Sequence, residues 1–159
     1  MQLDIKEQSL ILEGKKYSRK ELMSLSANAT GDNTSSFLLD LYRFLADWFS
    51  DSPFMTVHTS GSTGTPKVLT VRKEQMMQSA RMTCEFLNLH TGDTALLCMP
   101  LQYIAGKMMV VRALVAGLNL ILRTPSGHPL ADVTVPLRFV AMVPLQVFNT
   151  LQVLREKER

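Results

Sequence analysis

Ten residues, His58-Thr59-Ser60-Gly61-Ser62-Thr63-Gly64-Thr65-Pro66-Lys67, constrain this chain more than any other stretch, because they stand between two β-rich runs. Phe54-Met55-Thr56-Val57-His58, after Pro53, reads as one strand, and Val68-Leu69-Thr70-Val71 reads as the next. The segment is therefore expected to be a bend joining two strands. Gly61 and Gly64 let the backbone take positive φ and come close to a ligand. Successive N–H groups in such a bend converge into an anion-binding nest. Ser60, Ser62, Thr63 and Thr65 add hydroxyl donors, and Lys67 adds a point charge. The chemistry indicated is phosphate binding.

A Walker A loop is excluded by the spacing. That loop needs Gly-Lys-Ser/Thr leading directly into a helix, whereas Thr65 and Pro66 separate Gly64 from Lys67 and a strand follows. Strings of Ser, Thr and Gly are often flexible linkers. Linkers do not usually lie between two β-rich runs and finish on Pro-Lys, which favours the phosphate reading.

Along the rest of the chain, Leu3–Ile5 and Ser9–Leu12 read as short strands, with Glu13-Gly14-Lys15-Lys16 supplying a turn. Ser18 reads as the cap of a helix beginning near Arg19, which the polar stretch 28–33 interrupts. From Thr34, Phe37, Leu38, Leu41, Phe44, Leu45, Trp48 and Phe49 recur at three and four, giving one apolar helical face that ends at Asp51-Ser52-Pro53. Trp48 reads as core. Residues 72–87 form another expected helix, with Met76, Met77, Ala80, Thr83, Cys84 and Leu87 on one face. Strands are expected at 94–98, 118–122 and 138–143, a helix buried nearly all round at 104–116, and a last helix at 144–157. Alternating strands and helices predict an α/β fold, a layered, largely parallel sheet flanked by helices. Two units are expected, a leader subdomain at 1–53 and a phosphate-loop α/β subdomain at 54–159.

Composition excludes several classes. With 46% hydrophobic residues and a formal net charge of +3 over 159 residues, the chain is long enough for one core and carries no aromatic-interleaved basic patch for nucleic acid. No secretory signal is visible, since the first seven residues carry charges where an apolar core would be needed, and a cytoplasmic location is expected by default. The apolar stretch 94–122 is broken by Pro100, Lys107 and Arg112 into runs shorter than a bilayer span. Cys84 and Cys98 read as buried thiols, and no metal cluster, carboxylate pair or Ser/His/Asp set stands out. His58 and His128 read as structural. In Thr91-Gly92-Asp93, Gly92 reads as a helix-end turn residue, and Asp93 receives no role.

Thr59 to Lys67, followed by Met99-Pro100-Leu101-Gln102-Tyr103-Ile104-Ala105-Gly106, Arg112-Ala113-Leu114, Gly117 and Val143-Pro144-Leu145-Gln146, resembles the acyl-adenylate-forming enzymes over about residues 54–148. Among the branches of that family the set is most similar to the ligases that join 2-succinylbenzoate to coenzyme A in menaquinone biosynthesis. The resemblance implies that a carboxylic acid attacks the α-phosphate of ATP to give acyl-AMP and pyrophosphate, and that the thiol of coenzyme A then takes the acyl group. It implies that Thr59, Ser60, Gly61, Ser62, Thr63, Gly64, Thr65 and Lys67 hold the departing phosphates with Mg²⁺, with Lys67 as the catalytic cation. It also implies that Tyr103 and Gly106 border the acyl pocket, although a tyrosine packed at a strand-to-helix junction is the ordinary alternative. Lys107 departs from the family pattern and is expected to snorkel to solvent rather than pair with a substrate carboxylate.

The family's Tyr-Gly-x-Thr-Glu motif, ribose-binding aspartate and catalytic lysine have no counterpart in these residues. The chain is accordingly expected to need a missing C-terminal part, and exposed apolar surface would favour homo-oligomers. A non-catalytic phosphate-binding module and an inactive structural fragment are the alternatives.

Overall fold

A computed structural model describes residues 1–59 and 64–158. The first strands are β1 (Ser9–Leu12) and β2 (Lys15–Ser18), an antiparallel pair with Ser9 opposite Ser18. Glu13 and Gly14 turn between them with φ of 48° and 83°, the doubly positive arrangement of a two-residue hairpin bend. This corrects the expected strand at Leu3–Ile5. Asp4 Oδ1 accepts from Lys6 N at 2.9 Å and starts a 3₁₀ turn over Ile5–Glu7 instead. The charged Lys15 and Lys16, expected in a turn, are the exposed start of β2.

Ser18 then caps α1 (Arg19–Asn28) in a full capping box, accepting from Glu21 N at 3.2 Å while Ser18 N donates to Glu21 Oε2 at 2.7 Å. Helix α2 (Ser36–Trp48) turns Phe37, Leu41, Phe44, Leu45 and Trp48 inward, as its periodicity dictates. Trp48 stacks on Phe44 at 5.9 Å, and its Nε1 donates to Oε1 of the buried Gln8 at 2.8 Å.

The next two strands, β3 (Phe54–Thr59) and β4 (Lys67–Arg72), form their own antiparallel ribbon. Met55 and Val57 enter the core from β3, while β4 is largely exposed. After it come α3 (Lys73–Phe86), β5 (Thr94–Leu97), α4 (Ile104–Ala116), β6 (Asn119–Leu122), β7 (Phe139–Val140) and α5 (Pro144–Lys157). The buried face of α3 carries Lys73 beside Met76, Met77, Ala80 and Cys84. Leu87, expected on that face, is 37% exposed, and Leu89 is buried in its place. The left-handed residue ending α3 is Asn88 at φ 53°, and Gly92 belongs to the following turn, where Asp93 Oδ2 accepts from His90 N at 2.8 Å.

The five-stranded sheet has the order β2-β1-β6-β5-β7, with every pairing parallel except β1 with β2. The leader's β1 pairs with β6, so residues before and after 53 share one sheet and one core. Alternation along β5 and β6 sends Ala95, Leu97 and Leu120 into the main core beneath α4, and Leu96, Cys98 and Ile121 into a smaller cluster with Leu130, Val133, Leu137, Val140 and Met142. The unbroken apolar runs of these strands thus reflect burial on both faces. Helix α5 packs little: Leu145, Phe148, Leu151 and Leu154 are each at least half exposed. No helix among the described residues is long and apolar enough to cross a membrane.

Candidate phosphate and acyl site

Register places the expected phosphate bend at one end of the β3–β4 ribbon. Thr59 opposes Lys67 as the last pair, and His58 opposes Val68. Gly64 has φ of 86° and nothing within 4 Å of where a Cβ would stand. A residue with a side chain would be strained there, which is the freedom an anion-cradling bend uses. Thr65, Pro66 and Lys67 are exposed. Ser60, Gly61, Ser62 and Thr63 lie outside the described residues.

The ribbon tip is tied to the second motif by backbone pairing. His58 makes an isolated parallel bridge to Tyr103, in the connection between β5 and α4, so the backbone just before the bend is linked to that connection. Two segments 45 positions apart in sequence, the bend and Met99–Gly106, therefore meet. Tyr103 is partly buried at the N-cap position of α4 and makes no side-chain capping bond. Gly106, in the first turn of α4, is buried against backbone. A Cβ there would lie 2.9 Å from Pro100 C and 3.1 Å from Met99 O, and closer still to Pro100 O. Only a bare Cα lets α4 start so close beneath the Met99–Leu101 loop.

This loop stands at the carboxyl end of β5, whose neighbours β6 and β7 are reached by connections running in opposite directions. Ligands in open parallel sheets usually sit outside the carboxyl ends of the strands, which is where this loop stands. The segments that follow β5 and β7 are bound together there. Cys98 Sγ donates to Ala141 O at 3.6 Å, and burial pushes its thiol pKa up to about 11. Gln146 of α5, 5% exposed, donates from Nε2 to Cys98 O at 3.1 Å and to Ser126 O at 2.9 Å, while Oε1 accepts from Val143 N at 3.1 Å. One amide thus fixes the β5 loop, the 126 loop and the start of α5. The sequence motif contained Gln146, but its role as a latch is a tertiary fact.

Lys107 turns to α2. Its Nζ lies 5.6 Å from the Phe44 ring centroid, burial lowers its pKa, and Asp47 and Asp40 draw it partly back. The half-buried ammonium thus lies at the α2–α4 seam. Among the described residues no group of three or more His, Cys, Asp or Glu gathers to hold a metal. The bend itself contains no carboxylate, so its donor set fits phosphate oxygens rather than a metal ion.

The residues on these elements are those of a recognised family. Residues 3–155 match the family described as AMP-binding enzyme, and the chain belongs to it. It is 29% identical over 118 residues to the 2-succinylbenzoate–CoA ligase of Haemophilus influenzae, covering 74% of this chain and 25% of that relative. The chain therefore spans about a quarter of the length of the curated relative it matches. Among solved structures, an acyl-CoA synthetase (AMP-forming)/AMP-acid ligase II-like protein from Dyadobacter fermentans superposes with a TM-score of 0.71 at 36% identity, over 82% of this chain and 37% of the other. The o-succinylbenzoate CoA synthetase of Bacillus subtilis, solved with the acyl-adenylate intermediate OSB-AMP, shares the fold with a TM-score of 0.50 at 22% identity, over 61% of this chain and 26% of the other.

Proposed function

We propose that this chain is the phosphate-binding portion of an ATP-dependent acid–CoA ligase, acting on a carboxylic acid that the Haemophilus relative's name points to as 2-succinylbenzoate. That acid would place the reaction in menaquinone biosynthesis. The observation that carries the reading is the docking of the Thr59–Lys67 ribbon end, through His58, onto Tyr103 at the carboxyl end of β5. A nucleotide's polyphosphate and an acid's carboxylate must meet in one place for adenylation, and this contact brings the two motifs together.

In this assignment the hydroxyls and backbone N–H groups of Thr59–Thr65 hold the β- and γ-phosphates of ATP. Lys67 stabilises the charge that collects on pyrophosphate as the acid's carboxylate oxygen bonds to the α-phosphorus and the α–β bridging bond breaks. Tyr103 and the backbone beside Gly106 border the acid, and coenzyme A then receives the acyl group through its thiol. Mg²⁺ belongs to the expectation, but the bend, which has no carboxylate, does not supply its ligand set. The remaining length found in the relatives completes the enzyme, as further chain or as a separate polypeptide, and the exposed apolar face of α5 is the surface it would cover. Alone, that face would favour self-association.

The test is ATP–pyrophosphate exchange by the complete enzyme carrying Lys67→Ala. Exchange should fall at least tenfold with thermal stability unchanged. Unaltered exchange would remove Lys67 from the mechanism. Binding of ATP with no exchange in any complete assembly would favour the non-catalytic module.

A further inference from the structure

The other end of the β3–β4 ribbon, where Phe54 opposes Arg72, borders a cleft of about 680 Å³. Six-residue strands separate it from the phosphate bend by roughly 17 Å, so the two are different places. Leu3, Ile5, Phe49 and Met77 supply an apolar wall. Lys6, Arg19, Arg72 and Lys73 face Asp4, Asp51 and Glu74 around it, and Asp4 is already engaged with Lys6 N.

Two cations line this cleft without a carboxylate partner, the buried Lys73 and the half-buried Arg19, whose guanidinium lies 5.8 Å from the Phe49 ring centroid. Lys73 is 2% exposed, the only buried charged side chain among the described residues. Its Nζ donates to Ser50 O at 2.9 Å and Ser50 Oγ at 3.3 Å, both neutral acceptors, which leaves one of its three donors over. No described carboxylate comes within 4.0 Å of it. Arg19, from a different element, donates from Nη2 to Phe49 O at 3.2 Å, while its Nε is buried with no partner. A buried ammonium without a paired anion is costly, as is a buried guanidinium N–H without an acceptor. An oxyanion seated in the cleft that Lys73 and Arg19 both line would supply the counter-charge that both lack. Burial lowers the Lys73 pKa despite Asp47 and Asp51, which is consistent with a missing counter-charge.

We propose that this cleft binds a small organic oxyanion, its carboxylate or phosphate head held by Lys73 and Arg19 and its apolar body resting on Leu3, Ile5, Phe49 and Met77.

The experiment titrates benzoate, phenyl phosphate and inorganic phosphate separately into the ¹⁵N-labelled full chain and follows backbone amides by NMR. Saturable shifts at Arg19, Ser50, Lys73 and Glu74 are expected with benzoate or phenyl phosphate, and whichever binds more tightly identifies the head group. Inorganic phosphate, lacking the apolar body, should bind there at least tenfold more weakly. Arg19→Gln and Lys73→Met should each weaken the organic ligand about tenfold at these amides, while the response of residues 64–67 to phenyl phosphate stays as in the parent. Should Lys73→Met fail to fold, Arg19→Gln alone decides. The absence of saturable shifts at these amides, or an affinity indifferent to Arg19→Gln, would overturn the proposal.

Discussion

Replacing Gly106 by alanine tests whether the Met99–Gly106 segment is held as described. The added Cβ would stand 2.9 Å from Pro100 C and 3.1 Å from Met99 O, against roughly 3.5 Å for comfortable carbon contacts. Both neighbours are backbone, so no side-chain rotation relieves them, and either α4 or the loop must move. Overpacking of this kind costs about 1–3 kcal/mol, and a rigid backbone neighbour places it near the top of that range. Alanine's better helix propensity returns at most about 1 kcal/mol. The net expectation is a loss of about 2 kcal/mol, or about 4–8 °C in Tm for a chain of this size. Thermal and urea denaturation would read it, with the exposed neighbour Ala105→Gly as control, expected to lose only about 0.5–1 kcal/mol. A Gly106→Ala protein as stable as the parent would refute the close approach and the reason given for glycine at this position.

Trp48→Phe removes the Nε1 donor and leaves Gln8 Oε1 buried without that partner, so urea denaturation should show a loss of about 1–3 kcal/mol. An unchanged midpoint would mean that the Trp48–Gln8 bond contributes nothing. Cys98 has a folded pKa of about 11 against an ordinary 9.0, so the unfolded chain loses its proton first. Stability should therefore be insensitive to this group below pH 9 and fall as pH rises from about 9 to about 11, by at most about 2–3 kcal/mol. Cys98→Ser should flatten that part of the pH profile, and a slope identical in both proteins would contradict the assignment. Thiol reagents at neutral pH should label Cys84 and Cys98 only after denaturation, since both are buried.

Much of the fold was legible because particular residues left one physical option. Helix α4 is bounded as read, since an apolar run buried nearly all round, ended by Gly117, satisfies no other pattern of that length. The expected capping of α1 by Ser18 holds, and the inward face of α2 follows its spacing. Strand β2 is not legible in the sequence because Lys15-Lys16-Tyr17-Ser18 carries no inward apolar alternation, and its strand identity comes from pairing with β1. Leu3–Ile5 reads as strand on apolar content alone, whereas in the fold the capping power of Asp4 wins. The burial of Lys73 was illegible for a different reason: a lysine at a helix start is almost always solvated, and only the packing of the 49–53 loop over it makes this one an exception. The two motifs of the candidate site were visible as strings. Their meeting through His58 and Tyr103, and the latch made by Gln146, join residues 45 and 48 positions apart and exist only in the folded chain.

The central claim is that the bend from Thr59 to Lys67 holds the polyphosphate of a nucleotide. Titration of MgATP into the ¹⁵N-labelled full chain tests it most directly. The expected result is saturable shifts of the Thr59, Gly64, Thr65 and Lys67 amides that weaken at least tenfold in Lys67→Ala. Saturable binding that leaves those amides unmoved, or an affinity indifferent to Lys67, would contradict it.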